Sequence, residues 1–335
     1  MRSQCCLYVD AGYLLAAAAT RLTGTSLRVG IKVKYEYLIA ELIKQAEALA
    51  GMPVLRINWY DGAKNALPDK DQERIGALPR VKVRLGRIGP TGEQKGVDLL
   101  IGLDMVAQAR NGAVDAAFLV SGDDDLTEAV AEAQVHGVQV KVLAVPNSAG
   151  EPHAVSQHLL RASDGIELIR PETLDQAVER AVSGPTPKTV PRPGPWLAAS
   201  AAGPVPHPAK PGPAHGAGTA GAAGAALPHR RSGATLAYQS QTGGKSTIAS
   251  EYALEDQAIT KQIDAVVSAV IGSFLASATE DEKDDVINAR PSIRSDLDRA
   301  LLLDLAHRLD DPDMSDRIRW ELRDHFWDAL AAATK

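Results

Sequence analysis

Cysteine, aromatic residues and long apolar runs are all scarce in this 335-residue chain, and each shortage excludes something. The two cysteines, Cys5 and Cys6, are neighbours. In an extended segment neighbouring side chains point to opposite faces, so no structural disulfide joins them. The chain therefore lacks a disulfide framework, which fits a reducing compartment. No basic start leads into an apolar run and a small-residue cleavage site, so no signal peptide is read. No stretch approaches about 18 uninterrupted apolar residues, which argues against a membrane span. A cytoplasmic protein without membrane contact is the expectation. Aromatics make up 4% of the chain, so base stacking is a minor theme, with Tyr13 and Tyr60 as candidates near strand ends. No His or Cys cluster has zinc spacing; His153 and His158 lie five apart on a helical pattern and read as surface or supporting residues.

What is present divides into three parts. Net charge is −6 overall, but it is −1 for residues 1–170, +4 for 171–250 and −9 for 251–335. Residues 183–247 hold eleven Pro and eleven Gly with almost no large apolar side chains. Such a segment cannot bury enough surface to offset its ordering entropy, and it reads as a disordered linker. Within it, Gly243-Gly244-Lys245-Ser246 resembles the end of a phosphate-binding loop, but Gln239 stands where the first Gly is required and no strand precedes it. Residues 251–335 read as helices. Ile259, Ile263, Val266, Val267, Val270, Ile271 and Phe274 form one broad stripe, and Thr279 with Glu282 has the spacing of a capping box. This part reads as a small all-α domain for a protein partner or for self-association.

Residues 1–172 alternate strands and helices. Strands are expected at 4–10, 54–60, 81–85, 116–120, 138–145 and 166–169. Helices are expected at 34–50, from Asp98 to Arg110 with Leu99, Leu100, Leu103, Val106 and Ala107 inward, from Leu126 to Val135, and over 153–162. This order implies right-handed crossovers and a doubly wound parallel sheet, with ligands bound outside the carboxyl ends of its strands. Acids stand at those ends: Asp10 after the first strand and Asp123-Asp124-Asp125 after Ser121-Gly122. Asp98 sits on the first turn of the preceding helix. Two carboxylates about 4 Å apart repel by roughly 4 kcal/mol at an effective dielectric near 20. Helix-terminus amides can offset this, which is the simple capping reading. A bound divalent cation can also offset it, and clustering of Asp10, Asp98 and Asp123 at one crevice favours the cation.

Asp10, Lys95-Gly96-Val97-Asp98 and Ser121-Gly122-Asp123-Asp124-Asp125, in this order, resemble the NYN family of PIN-like nucleases. Ser156-Gln157-His158-Leu159 followed by Asp164 and Ile166 resembles that family's closing segment. The resemblance covers residues 4–170 and implies a metal-dependent ribonuclease in which Asp10, Asp98, Asp123 and Asp125 are the acidic site residues. Hard oxygen ligands select Mg²⁺ or Mn²⁺, which keep several waters and touch few carboxylates directly. Asp10 and Asp123 are the expected direct ligands, with Asp98 and Asp125 acting through water or on the nucleophile. Lys82, Arg84, Arg87 and Lys95 are the expected RNA-phosphate contacts, unless the charged strand face serves only to block edge pairing. Two other readings remain open: a non-catalytic RNA-binding or scaffold protein on the same fold, and a small-molecule phosphohydrolase.

Overall fold

The computed structural model describes residues 3–64, 67–89, 94–181, 247–311 and 314–334. In chain order the N-terminal part comprises β1 (Cys5–Asp10), α1 (Ala11–Thr23), β2 (Ile31–Val33), α2 (Tyr35–Ala50), β3 (Val54–Ala63), α3 (Lys70–Gly76), β4 (Val81–Ile88), β5 (Gln94–Lys95) and α4 (Val97–Arg110). It continues through β6 (Ala116–Val120), α5 (Thr127–Val135), β7 (Gln139–Ala144), α6 (Gln157–Ala162), β8 (Ile166–Leu168), α7 (Pro171–Ala177) and β9 (Val178–Arg180). The main sheet runs β5-β4-β3-β1-β6-β7-β8, antiparallel at β5 and parallel elsewhere. From β1 the chain winds outward through β3 and β4, then returns to β6 on the other side of β1. Winding therefore reverses between β1 and β6, and the crevice at a doubly wound sheet opens at the carboxyl ends of such a strand pair.

Alternation along β1 feeds two cores. Cys5, Leu7 and Val9 pack with Leu14, Leu38, Leu42 and Leu174 on one face. Cys6 and Tyr8 pack with Ile101, Met105, Val130 and Leu159 on the other. The two thiols are accordingly free and buried on opposite faces. Helix α4 buries Val97, Ile101, Met105 and Ala109, whereas Leu99 and Leu103 are exposed. The inward stripe is thus rotated from the one expected, because four-residue spacing from Val97 meets the sheet. The domain also runs past residue 172: β9 pairs antiparallel with β2, a short ribbon with no pattern strong enough to read in advance. Helix α6 begins only at Gln157, because the Ser156 hydroxyl accepts from the His158 and Leu159 amides and caps it there. The expected linker lies almost wholly outside the described residues, and the loop-like Gly243–Ser246 segment entirely so.

The C-terminal part comprises α8 (Thr247–Ser277), α9 (Glu280–Asn288), α10 (Ser295–Leu309) and α11 (Asp316–Ala333). Ile263, Val266, Val267, Val270, Ile271 and Phe274 of α8 meet Leu297, Leu301 and Leu305 of α10 and Leu322, Phe326 and Leu330 of α11 in one core. The capping box at the start of α9 is formed: the Glu282 amide donates to Thr279 Oγ1, and the Thr279 amide donates to Glu282 Oε2 at 2.8 Å. By length and composition, Gln257–Ser277 is long and apolar enough to cross a membrane. Here its apolar stripe is the inner face of the bundle.

The two parts belong to one compact unit. The segment after α1 makes the join. Leu27 lies in the helical core, and Asp304 of α10 accepts from Thr25 Oγ1 at 2.5 Å and from the Ser26 amide at 3.0 Å. A Cβ placed on Gly30 would collide with Ser273 Oγ of α8. His153 stacks on His307, ring centroids 5.0 Å apart.

Candidate functional site

Asp10 closes β1 and caps α1, its Oδ1 accepting from the Gly12 amide at 2.7 Å. Alternation places it on the face of Cys6 and Tyr8, toward α4. It is only 9% exposed. Burial first, and then the charge of Asp98, push its pKa up to about 6; the Tyr13 amide, Arg28 and the Gly12 amide pull it back. Asp98 stands on the first turn of α4, after Gly96, whose φ of 78° lets the chain turn from β5 into the helix. Burial raises its pKa, and Asp123 and Asp125 raise it further, against its own amide and Arg299. Asp98 is therefore the hub, raising Asp10 on one side of the switch point and raised by Asp123 and Asp125 on the other.

Beyond β6, buried Ser121 accepts the Asp123 amide at 3.2 Å, and Asp123 Oδ1 accepts the Asp125 amide at 3.1 Å. The other Asp123 oxygen has no partner among the described residues. Gly122 is required by close approach, since a Cβ there would run into the Ala154 carbonyl. Its own carbonyl accepts the Ser156 amide at 2.9 Å. Asp124 turns away from the other acids. It accepts Ser156 Oγ at 2.5 Å and faces His158 Nδ1 at 3.2 Å, contacts that lower its pKa. The middle acid thus ties the β6 loop to α6, which accounts for His158. Asp61, near the end of β3, accepts Gln72 Nε2 at 2.9 Å and faces Arg28 at 3.5 Å.

A model of the NYN domain matches residues 6–169. Residues 6–169 are an NYN domain. A further relative, an uncharacterized protein y4oD of Sinorhizobium fredii, is 41% identical over 80 residues, which is 24% of this chain and 37% of that protein. The chain thus matches little more than a third of that relative's length. Among solved structures, a protein of unknown function, VPA0982 of Vibrio parahaemolyticus, aligns with a TM-score of 0.36 at 21% identity, covering 51% of this chain and 96% of its own. The NYN domain belongs to the PIN-like nuclease superfamily, whose members generally depend on divalent metal.

Among the described residues, no three His, Cys, Asp or Glu side chains stand close enough to grip one ion together. Asp10 and Asp123 each lend one oxygen to a helix or turn start, as the capping reading supposes. The donor set suits a hard cation that keeps its waters and touches one or two carboxylates, and not one needing an all-protein cage. Burial, and after it Asp98 for Asp10 and Asp123 with Asp125 for Asp98, raise both pKa values, and an ion would relieve the charge part of this.

The basic residues of the NYN domain separate by register. Arg87 pairs with Lys95 near the carboxyl end of β4, two strands from β1. Arg84 is level with Tyr60 and Asp10, but it is held at 3.3 Å by Asp104, which also accepts the Tyr60 hydroxyl at 3.0 Å. Lys82 is level with Asn58 and Tyr8, two residues below Asp10. Tyr60 is fully buried and offers no face to a base. Tyr13 is committed too: its hydroxyl donates to the His153 carbonyl at 2.8 Å and accepts the Val145 amide at 3.3 Å. Two cations with no motif of their own reach the acids instead. Arg28 acts on Asp10 and Asp61, and Arg299 of α10 on Asp10, Asp61 and Asp98. Only tertiary packing brings them there, so no local pattern announces either.

Proposed function

We propose that the NYN domain is a Mg²⁺- or Mn²⁺-dependent ribonuclease whose site residues are Asp10, Asp98, Asp123 and Asp125. The observation that carries this is the coupling of Asp98 to Asp10 on one side and to Asp123 and Asp125 on the other, at the switch point of the sheet. When bound, such an ion supplies an acidified water and neutralises charge on the scissile phosphate. Asp10 and Asp123, each with one oxygen fixed by a backbone amide, are set to hold the ion in a defined orientation. Asp98 and Asp125 are set to hold its waters and to accept a proton from the attacking one. Arg87 and Lys95, near the carboxyl end of β4, are suited to track the RNA backbone, with Lys82 and Arg84 earlier on the same strand. Two free, buried thiols fit a cytoplasmic setting.

A second reading, RNA binding without turnover, draws on the wide spacing of the acids and on the two arginines that already balance part of their charge. One experiment separates them. Full-length protein and Asp98→Asn are assayed on a single-stranded RNA across a Mn²⁺ titration. The nuclease reading expects Mn²⁺-stimulated cleavage that falls at least about a hundredfold in the variant. Equal cleavage by both proteins removes these acids from the reaction. RNA retention with no turnover at any Mn²⁺ level leaves the binding reading.

A further inference from the structure

The helical domain sits against the NYN domain on the segment that carries Arg28. Asp304 grips Thr25 and Ser26, Leu27 enters the helical core, and Gly30 lies under Ser273. Arg28, at the centre of this grip, is thereby held toward Asp61 and Asp10. Helix α10 makes a second delivery. At about 100° per residue, Arg299, Asp304 and His307 fall within roughly 140° of one another, with Asp304 at the edge of the Leu297-Leu301-Leu305 stripe that faces the bundle core and Arg299 across the helix from it. Asp304 and His307 contact the NYN domain, and Arg299 lies on that side of the helix, near enough for its charge to act on Asp98.

Arg299 is exposed. It makes no hydrogen bond or ion pair with any described residue; the surrounding protein first, and then Arg28, lower its pKa against the pull of Asp10, Asp61 and Asp98, and its charge lowers the pKa of Asp98 in turn. A guanidinium that served only to neutralise the acids would be locked onto a carboxylate, as Arg323 is locked in two bonds on Asp298. Arg299 instead keeps its planar fork of donors open at the rim of a negative crevice. That arrangement suits an anion that offers two acceptor oxygens side by side, as a phosphodiester does.

We propose that Arg299, delivered by the C-terminal helical domain, is a phosphate-positioning residue of the NYN site, so that the RNA-binding surface is complete only with both halves of the chain docked. This deepens the ribonuclease reading and rests on it for the identity of the ligand. It assigns the helical domain a role inside the site, beyond recruiting a partner.

The test uses full-length wild type, Arg299→Ala and Arg299→Lys, with a single-stranded RNA. Binding is measured in Ca²⁺ across a salt series, and cleavage in Mn²⁺. Equal thermal transitions in the three proteins show that the docking survives. The expected result for Arg299→Ala is binding weakened about five- to tenfold and a salt slope shallower by about 0.7, the loss of one phosphate contact on a single strand. KM should rise more than kcat falls, and Arg299→Lys should recover part of the loss. Faster cleavage by Arg299→Ala would make the residue an autoinhibitory plug and overturn the proposal. Unchanged binding and cleavage would overturn it too, while leaving the nuclease reading intact. If wild type binds without cutting and Arg299→Ala still binds more weakly, the nuclease reading fails and the positioning role stands. If wild type binds no RNA, both fail.

Discussion

Asp10 in the NYN half and Asp304 in the helical half are both carboxylates drawn out of water, yet their surroundings treat them oppositely. Asp304 accepts a hydroxyl and a backbone amide from the segment it grips, neutral donors that bring no competing charge. Burial raises its pKa while those bonds lower it. Asp10 accepts amides at the start of α1 but also faces Asp98, and its pKa stays near 6. One carboxylate is a satisfied joint. The other stores repulsion at the mouth of a crevice, as groups reserved for a ligand do.

The largest effect should come from removing that charge, which burial first and Asp98 second make costly. Asp10→Asn keeps the shape and the Gly12 contact while deleting the charge. In metal-free buffer at pH 7.5 it should stabilise the protein by about 2 kcal/mol, since about two pKa units of elevation correspond to roughly 3 kcal/mol before relaxation. The folded pKa lies above the unfolded one, so Asp10 contributes stability below about pH 4 and loses it as pH rises to about 6. The advantage of the variant should therefore vanish by pH 4. Denaturation at the two pH values decides it, and a destabilised variant at pH 7.5 would refute the account of Asp10.

Asp304→Ala should act the other way. It leaves the Ser26 amide and the Thr25 hydroxyl without their acceptor at a half-buried seam, which costs about 1–3 kcal/mol. Because Asp304 seats the Arg28 segment and shares a helix with Arg299, RNA binding should weaken along with stability. Proteolysis that stays as slow as in wild type, with unaltered RNA affinity, would show that the seam is not built on this residue.

The same contrast explains what was legible in advance. The acids are written in local grammar: a buried strand, a turn, then carboxylates at a helix start, so Asp10, Asp98 and Asp123–Asp125 can be found residue by residue. The strand positions and the capping box at Thr279 follow from equally local patterns. Arg28 and Arg299 have no such grammar: tertiary packing inside the NYN domain sets Arg28 against Asp61, and Arg299, 271 positions later, comes near the same acids from the helical domain. Tyr13 and Tyr60 mislead for the converse reason. A position near a strand end says nothing about whether the hydroxyl is already committed, and here both are. Inward Leu99 and Leu103 fail because apolar spacing alone leaves the rotation of α4 open until Val97 is seated against the sheet.

The smallest expected effect sharpens the comparison through pH. His153, stacked on His307 across the seam, has its pKa lowered to about 4, by burial first and then by the charge His307 can carry. A base whose folded pKa is depressed contributes stability above its unfolded value of 6.5 and loses it as pH falls toward 4. The seam should therefore weaken over the same range in which metal-free Asp10 becomes easier to bury. Replacing the ring with an uncharged one, His153→Phe, keeps the backbone bonds to Val145 and Tyr13 and removes the titration. At pH 5 the variant should hold about 1 kcal/mol more of its neutral-pH stability than wild type, less than the full shift because the ring can swing toward solvent. If both proteins lose stability in parallel between pH 6.5 and 5, the histidine pair does not sense protons at the seam, and the acid sensitivity belongs to the acidic bundle instead.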